Sequence, residues 1–182
     1  AGLVKGASKG EGLGNQFLGN IRETDAIIHV LRCFDDGNVV HVDGSVDPAR
    51  DKGVIDTELQ LKDLDTVDKR LDKAKKAART GDKEAMKIVS IIEQYKNHLE
   101  AGKSVRSLEI DEESVKLIGD MQLLTEKPVL YVCNVDEASA VSGNNHTKAV
   151  EELVKDEQCE VMYLCAGIES DISELETFEE KQ

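Results

Sequence analysis

The chain has 182 residues, 33% of them charged, and a formal net charge of -14 at pH 7. Such an acidic balance excludes a general duplex-DNA binder, and with no run of eighteen apolar residues there is no candidate membrane-spanning helix. Cys33, Cys133, Cys159 and Cys165 have no Cys-x-x-Cys spacing, which argues against a zinc or disulfide framework and for free, buried thiols in a reducing cytoplasm.

Gly6-Ala-Ser-Lys-Gly-Glu-Gly-Leu-Gly14 opens the chain as a glycine-rich loop able to reorder around a phosphate. Lys5 and Lys9 lie near it, and solvation alone accounts for lysines in such a loop. A helix is expected from about Gly14 to Glu23, and Ala26-Ile-Ile-His-Val-Leu-Arg-Cys33 reads as a buried strand. His29 falls inside that strand and reads as a core or half-buried residue. Asp35 to Asp51, with Gly37, Gly44 and Pro48, reads as a long loop.

From about Val54 to Ala101 the apolar period changes. Leu64, Val67, Leu71, Ala74 and Ala78, then Ala85, Ile88, Ile92, Tyr95 and Leu99, recur at alternating spacings of three and four. That repeat seats two helices along one seam, and Gly81 between them supplies a left-handed cap that reverses the chain. The expected product is an antiparallel helical hairpin, a coiled coil roughly 30 Å or more long. Ser104 to Ile110 reads as irregular. A helix follows from Asp111 to Ile118, a strand from Pro128 to Cys133, a helix from His146 to Glu157 with Val150, Leu153 and Val154 on one face, and a strand from Glu160 to Cys165. Strands alternating with helices indicate a parallel sheet, whose ligands sit beyond the carboxyl ends of the strands.

The strand at Pro128 runs into Asn134-Val-Asp-Glu137. P-loop GTPases carry Asn-Lys-x-Asp at a strand end, and the Asp accepts two hydrogen bonds from guanine. Glu137 stands in the place of that Asp. It is one methylene longer and, ionised, an acceptor only, so it cannot hold both guanine donors in the same geometry. The plain alternative is a strand that ends in a polar turn.

The string Gly2 to Phe34, His41-Val-Asp-Gly-Ser-Val-Asp-Pro48 and Asn134 to Glu137 together resemble the YchF or Obg-like ATPase family of Obg-related P-loop proteins, in order and over nearly the whole chain. The resemblance implies an α/β P-loop fold interrupted by the helical hairpin. It also implies a protein that binds ATP, with GTP possible, as the magnesium complex, hydrolyses it slowly, and associates with ribosomes in the cytoplasm. Gly2 is then the Gly of a switch motif, Asn134 ties the nucleotide-binding loops together, and Val135 covers the base. Glu137 selects adenine, and Cys165-Ala166-Gly167 matches a Ser-Ala-Lys loop whose backbone meets the purine, departing from it at Cys165 and Gly167. Leu3 stands where related GTPases place a water-orienting Gln. His41 is the polar residue chosen to position water instead, against the plain reading of a loop histidine.

Parts of the family pattern are not in these residues. No Gly-x-x-x-x-Gly-Lys-Ser/Thr occurs, the switch motif is represented only by Ala1 and Gly2, and no metal ligand can be named. The expectation is an internal piece lacking the phosphate loop and the C-terminal TGS domain, inactive by itself. Its parts are residues 1–53 and 126–182 of the nucleotide-binding domain and 54–125 of the hairpin. Charge is unevenly spread: residues 69–87 hold eight basic and three acidic side chains, whereas 151–182 hold two basic and eleven acidic. The basic stretch is expected to contact ribosomal RNA, with a solvated helix face as the alternative. At the level of function, the alternatives are a non-catalytic RNA- or protein-binding module and a GTP-binding regulator of the Obg type.

Overall fold

A computed structural model of the chain describes residues 6, 14–36, 45–79, 81–175 and 177. They form two compact units, one made of residues 1–25 and 54–128 and the other of 26–53 and 129–182. The fold is α/β, a parallel sheet whose strands are interrupted in sequence by a helical hairpin. Among the described residues no helix is long and apolar enough to cross a membrane.

The first unit contains α1 (Gly14–Arg22), the greater part of α2 (Pro48–Ala78), α3 (Lys83–Glu100) and α4 (Glu112–Ile118). Helix α2 begins earlier than the expected loop end at Asp51. The Asp47 carboxylate accepts the Arg50 N–H at 3.0 Å, and Pro48 at the first helical position loses no bond by lacking an N–H. Gly81, with φ +80°, turns the chain, and the Asp82 carboxylate caps α3 by accepting the Glu84 N–H at 2.9 Å. Val67 and Leu71 of α2 pack with Ile92, Tyr95 and Leu99 of α3. The pairs Lys96–Asp68 (2.6 Å) and Lys75–Glu93 (2.9 Å) cross the two antiparallel helices.

Ile91, outside the seam read from the sequence, is buried as well, because Val105, Ile118 and Leu123 join the same core. The stretch read as irregular after the hairpin contains a 3-10 turn, Val105–Ser107. Deeper in this unit the Asp63 carboxylate, 0% exposed, accepts the N–H groups of Leu124 and Thr125, each at 2.7 Å, and the Thr125 hydroxyl at 2.8 Å. Burial pushes its pKa above the ordinary aspartate value, against the lowering effect of those bonds.

The second unit is built on β1 (Ile27–Arg32), β2 (Val129–Asn134) and β3 (Glu160–Leu164), all parallel in the order β1-β2-β3. One face carries Leu31, Val129, Tyr131 and Cys133 against Val150 and Val154 of α5 (Asn145–Val154). Leu153, expected on that apolar face, is 46% exposed, and α5 ends at Val154 rather than continuing to Glu157. The other face leaves Ile28 67% and Val30 60% exposed. His29 is half-buried beside Tyr131, with ring centroids 5.5 Å apart. Lys52 is buried with its ammonium 2.6 Å from Glu157, whose other oxygen accepts the Tyr131 hydroxyl at 3.0 Å. This pairing compensates a charge that would be costly to bury alone.

Candidate functional site

The carboxyl ends of the three parallel strands are held together by polar bonds from residues that also end the strands. The Cys33 N–H donates to the Asn134 carbonyl at 2.7 Å, and the Val135 N–H donates to the Leu164 carbonyl at 2.9 Å. The Asn134 side-chain oxygen accepts the Ala166 N–H at 3.1 Å. Of the residues singled out in the sequence, Asn134 is thus joined to the loop that holds Cys165, Ala166 and Gly167. Cys165 is the residue before α6 (Ala166–Glu174), a helix not foreseen from the sequence, and its thiol makes no capping bond. Ala166 and Gly167 are exposed in the first turn. A Cβ at Gly167 would meet the Cys165 sulfur at 3.8 Å, an ordinary contact, so space does not require glycine there.

Val135 is 2% exposed and belongs to the apolar core of the sheet. Two residues later Glu137 begins a 3-10 turn, Glu137–Ser139, in which the Asp136 carboxylate accepts the Ser139 N–H at 2.9 Å. Ser139 is buried, whereas Glu137 is exposed and makes no side-chain bond among the described residues. Its carboxylate is thus available as an acceptor at the strand ends.

Asn144, not weighed in the sequence, is the most fully bonded side chain of this region. Its amide nitrogen donates to the Cys33 carbonyl at 2.7 Å and to the Ser139 hydroxyl at 3.3 Å. Its oxygen accepts the N–H groups of His146 at 2.9 Å and Thr147 at 3.1 Å, which caps α5. The preceding Gly143 has φ +68°, and a Cβ there would lie 2.4 Å from the Thr147 hydroxyl and 2.8 Å from the Tyr163 ring. Glycine is required on both grounds. The signal in the sequence was an Asn followed three residues later by Thr at a helix start.

His146 lies 3.1 Å from the Asp35 carboxylate, while His98 bonds to the Ser104 carbonyl and the Ser107 hydroxyl. None of the four cysteines forms a disulfide, and only Cys33 and Cys133 are buried; Cys159 and Cys165 are half-buried. Hydrogen bonding to Cys133, together with burial, pushes the Cys33 thiol well up, which leaves it a poor nucleophile. Gly2, Leu3, Lys5, Lys9 and His41 lie outside the described residues.

No family model matches the chain. It is similar to the ribosome-binding ATPase YchF of Bacillus subtilis, at 50% identity over 100% of this chain and 50% of that protein. It is similar also to the ribosome-binding ATPase YchF of Escherichia coli O157:H7, at 46% identity over 97% and 48% respectively. Among solved structures, the YchF GTPase of Schizosaccharomyces pombe matches with a TM-score of 0.81 and 30% identity, over 94% of this chain and 48% of that one. The chain spans about half the length of these curated relatives.

Proposed function

Since this chain belongs to the YchF family, we propose that it forms part of a ribosome-associated, cytoplasmic nucleotidase that binds ATP in preference to GTP and hydrolyses it to ADP and phosphate. The observation that carries this reading is the bond that the Ala166 amide donates to the Asn134 side-chain oxygen, because it joins the two strand-end loops beside which a purine would lie. Ligands of parallel α/β sheets take that position. ATP would enter as its magnesium complex, in which the metal would supply charge neutralisation at the phosphates. Residues 1–53 and 126–182 supply the nucleotide-binding domain, and 54–125 the hairpin.

Adenine presents an amino donor where guanine presents a carbonyl, and the exposed Glu137 carboxylate accepts but does not donate. The names of the relatives divide between ATPase and GTPase, so the base is the point to test. Calorimetry on a chain extended to the relatives' length should give tighter binding of ATP than of GTP. Glu137→Asp should raise relative GTP affinity, since a polar site left with unpaired groups discriminates strongly. Tighter GTP binding by the unmutated protein would overturn the assignment and favour a GTP-binding regulator.

His41 is proposed to position the attacking water, because the Leu3 side chain has no group that bonds water. In the same extended protein His41→Ala should lower ATP turnover about ten- to a hundredfold with little change in nucleotide affinity. Equal turnover would remove His41 from the mechanism.

The hairpin is proposed as the ribosome contact. Lys69, Lys75 and Lys87 are paired with Asp65, Glu93 and Glu113, whereas Lys73, Lys76, Arg79 and Lys83 are exposed and form no ion pair among the described residues. Those four cations suit RNA phosphate, and binding through them should fall steeply with salt. Reversing all four to Glu should weaken co-sedimentation with ribosomes while leaving ATP affinity near the parent value. Association that is unchanged, or insensitive to salt, would place the contact elsewhere.

A further inference from the structure

We propose that Asn144 is a positioning residue for base selection, holding the turn that carries Glu137 against the end of β1. The inference rests on the reading of Glu137 as the adenine-selecting group, and goes beyond it by assigning the residue that sets where Glu137 sits. Glu137 is exposed and makes no bond of its own among the described residues, so the place of its carboxylate is set by the backbone of its turn. That turn is fixed at its far end by Ser139, which is buried. Ser139 is anchored at three atoms: the Asp136 carboxylate takes its N–H at 2.9 Å, its carbonyl accepts the Gly143 N–H at 2.9 Å, and its hydroxyl, the one side-chain anchor, accepts from the Asn144 amide nitrogen at 3.3 Å.

The same nitrogen reaches the Cys33 carbonyl at 2.7 Å, in the residue that follows β1. The Asn144 oxygen is occupied by the N–H groups of His146 and Thr147. Two donors and two acceptor directions are therefore all in use, and the amide has one orientation that satisfies them. The Asn144 N–H donates in turn to the Thr147 hydroxyl at 2.8 Å, and that hydroxyl donates to the Asn144 carbonyl at 2.9 Å. One side chain thus links three pieces: the end of β1, the Glu137 turn and the start of α5.

The capping part of this role and the positioning part separate chemically. Aspartate caps a helix as well as asparagine does, but it has no N–H for the Cys33 carbonyl and sets an anion against it. Asn144→Asp should keep α5 capped and release the turn. In a chain extended to the relatives' length, calorimetry with ATP and with GTP should show ATP affinity falling about tenfold and the preference for ATP narrowing by a similar factor. Turnover at saturating ATP should stay within about twofold, since the chemistry at the phosphates is untouched.

Ser139→Ala, which removes one bond and leaves the cap intact, should shift the ratio in the same direction by less. It also decides the matter if Asn144→Asp does not fold. Nucleotide ratios equal to the parent's in the folded variants would overturn the proposal while leaving the Glu137 reading in place. A parent that binds GTP as tightly as ATP would overturn both, and needs no variant to show it.

Discussion

In the hairpin unit the apolar residues of α2 and α3 face one another and are then closed over by Val105, Ile118 and Leu123. In the sheet unit only one face is treated in that way. Leu31, Tyr131 and Cys133 lie under Val150 and Val154, while Ile28 and Val30, at the alternate positions of the strand that holds Leu31, face solvent. The difference teaches that similar apolar residues carry different energetic weight in the two units. The hairpin is held by side-chain burial, and the strand ends of the sheet by specific polar ties, Asn134 to Ala166 and Asn144 to Cys33 and Ser139.

The sharpest break of that comparison lies in the seam. Ile92 is fully buried, and Ile92→Ala should cost about 2–5 kcal/mol, the range for a core truncation that leaves a cavity. Urea unfolding of the 182-residue chain measures it. A cost near zero would mean that the seam is not what holds the hairpin.

The seam was legible because heptad spacing repeats over many turns, so each position is supported by its neighbours. Ile91 was not, since its burial depends on a segment more than ten residues away that the local period does not report. In the sheet, the strands were legible as apolar runs, and the approach of Asn134 to the 165–167 loop follows from both lying at parallel strand ends. Helix α6 was missed because Ile168 and Ile172 are its main apolar markers, too few to set a period. Asp47-Pro48 was a helix-start signal read as loop. Asn144 was hidden in Ser142-Gly-Asn-Asn145, a run whose composition reads as a turn.

A second test moves to the polar ties. Gly143→Ala must accommodate a Cβ 2.4 Å from the Thr147 hydroxyl at a φ of +68°, and the strained backbone alone is worth about 1–3 kcal/mol. The same unfolding experiment should show that loss. A neutral result would mean that the Asn144 cap rearranges freely, which the sheet side of the comparison does not allow.

Asp63 is the exception within the hairpin unit, a polar tie set among apolar packing. Asp63→Asn would turn an amide donor toward the N–H of Leu124 or Thr125, at a cost of about 1–3 kcal/mol for the unpaired group. Its pH dependence has a definite sign. Burial raises the folded-state pKa, so the contribution linked to that proton is fully present below the ordinary aspartate value of about 3.9. It is lost as pH rises through the raised folded value. The stability gap between parent and variant should therefore widen on acidification, and unfolding measured at a series of pH values checks it. A gap that narrowed as pH fell would reverse the assignment.

The smallest effect is expected on the open face of the sheet. Ile28 and Val30 are 67% and 60% exposed, so replacing either by Ser removes little buried area and should change stability by no more than about 0.5 kcal/mol, as surface substitutions do. Parallel sheets are ordinarily covered on both faces, which makes this near-neutrality the informative outcome. The same two substitutions made in a chain extended to the relatives' length sharpen the test. If added residues cover the face, each should there cost about 1.5–3 kcal/mol, the value for burying an aliphatic side chain. A small cost in both chains would mark the face as open in each. A large cost in the 182-residue chain itself would mean that something already covers it, and the contrast between the two units would then fall.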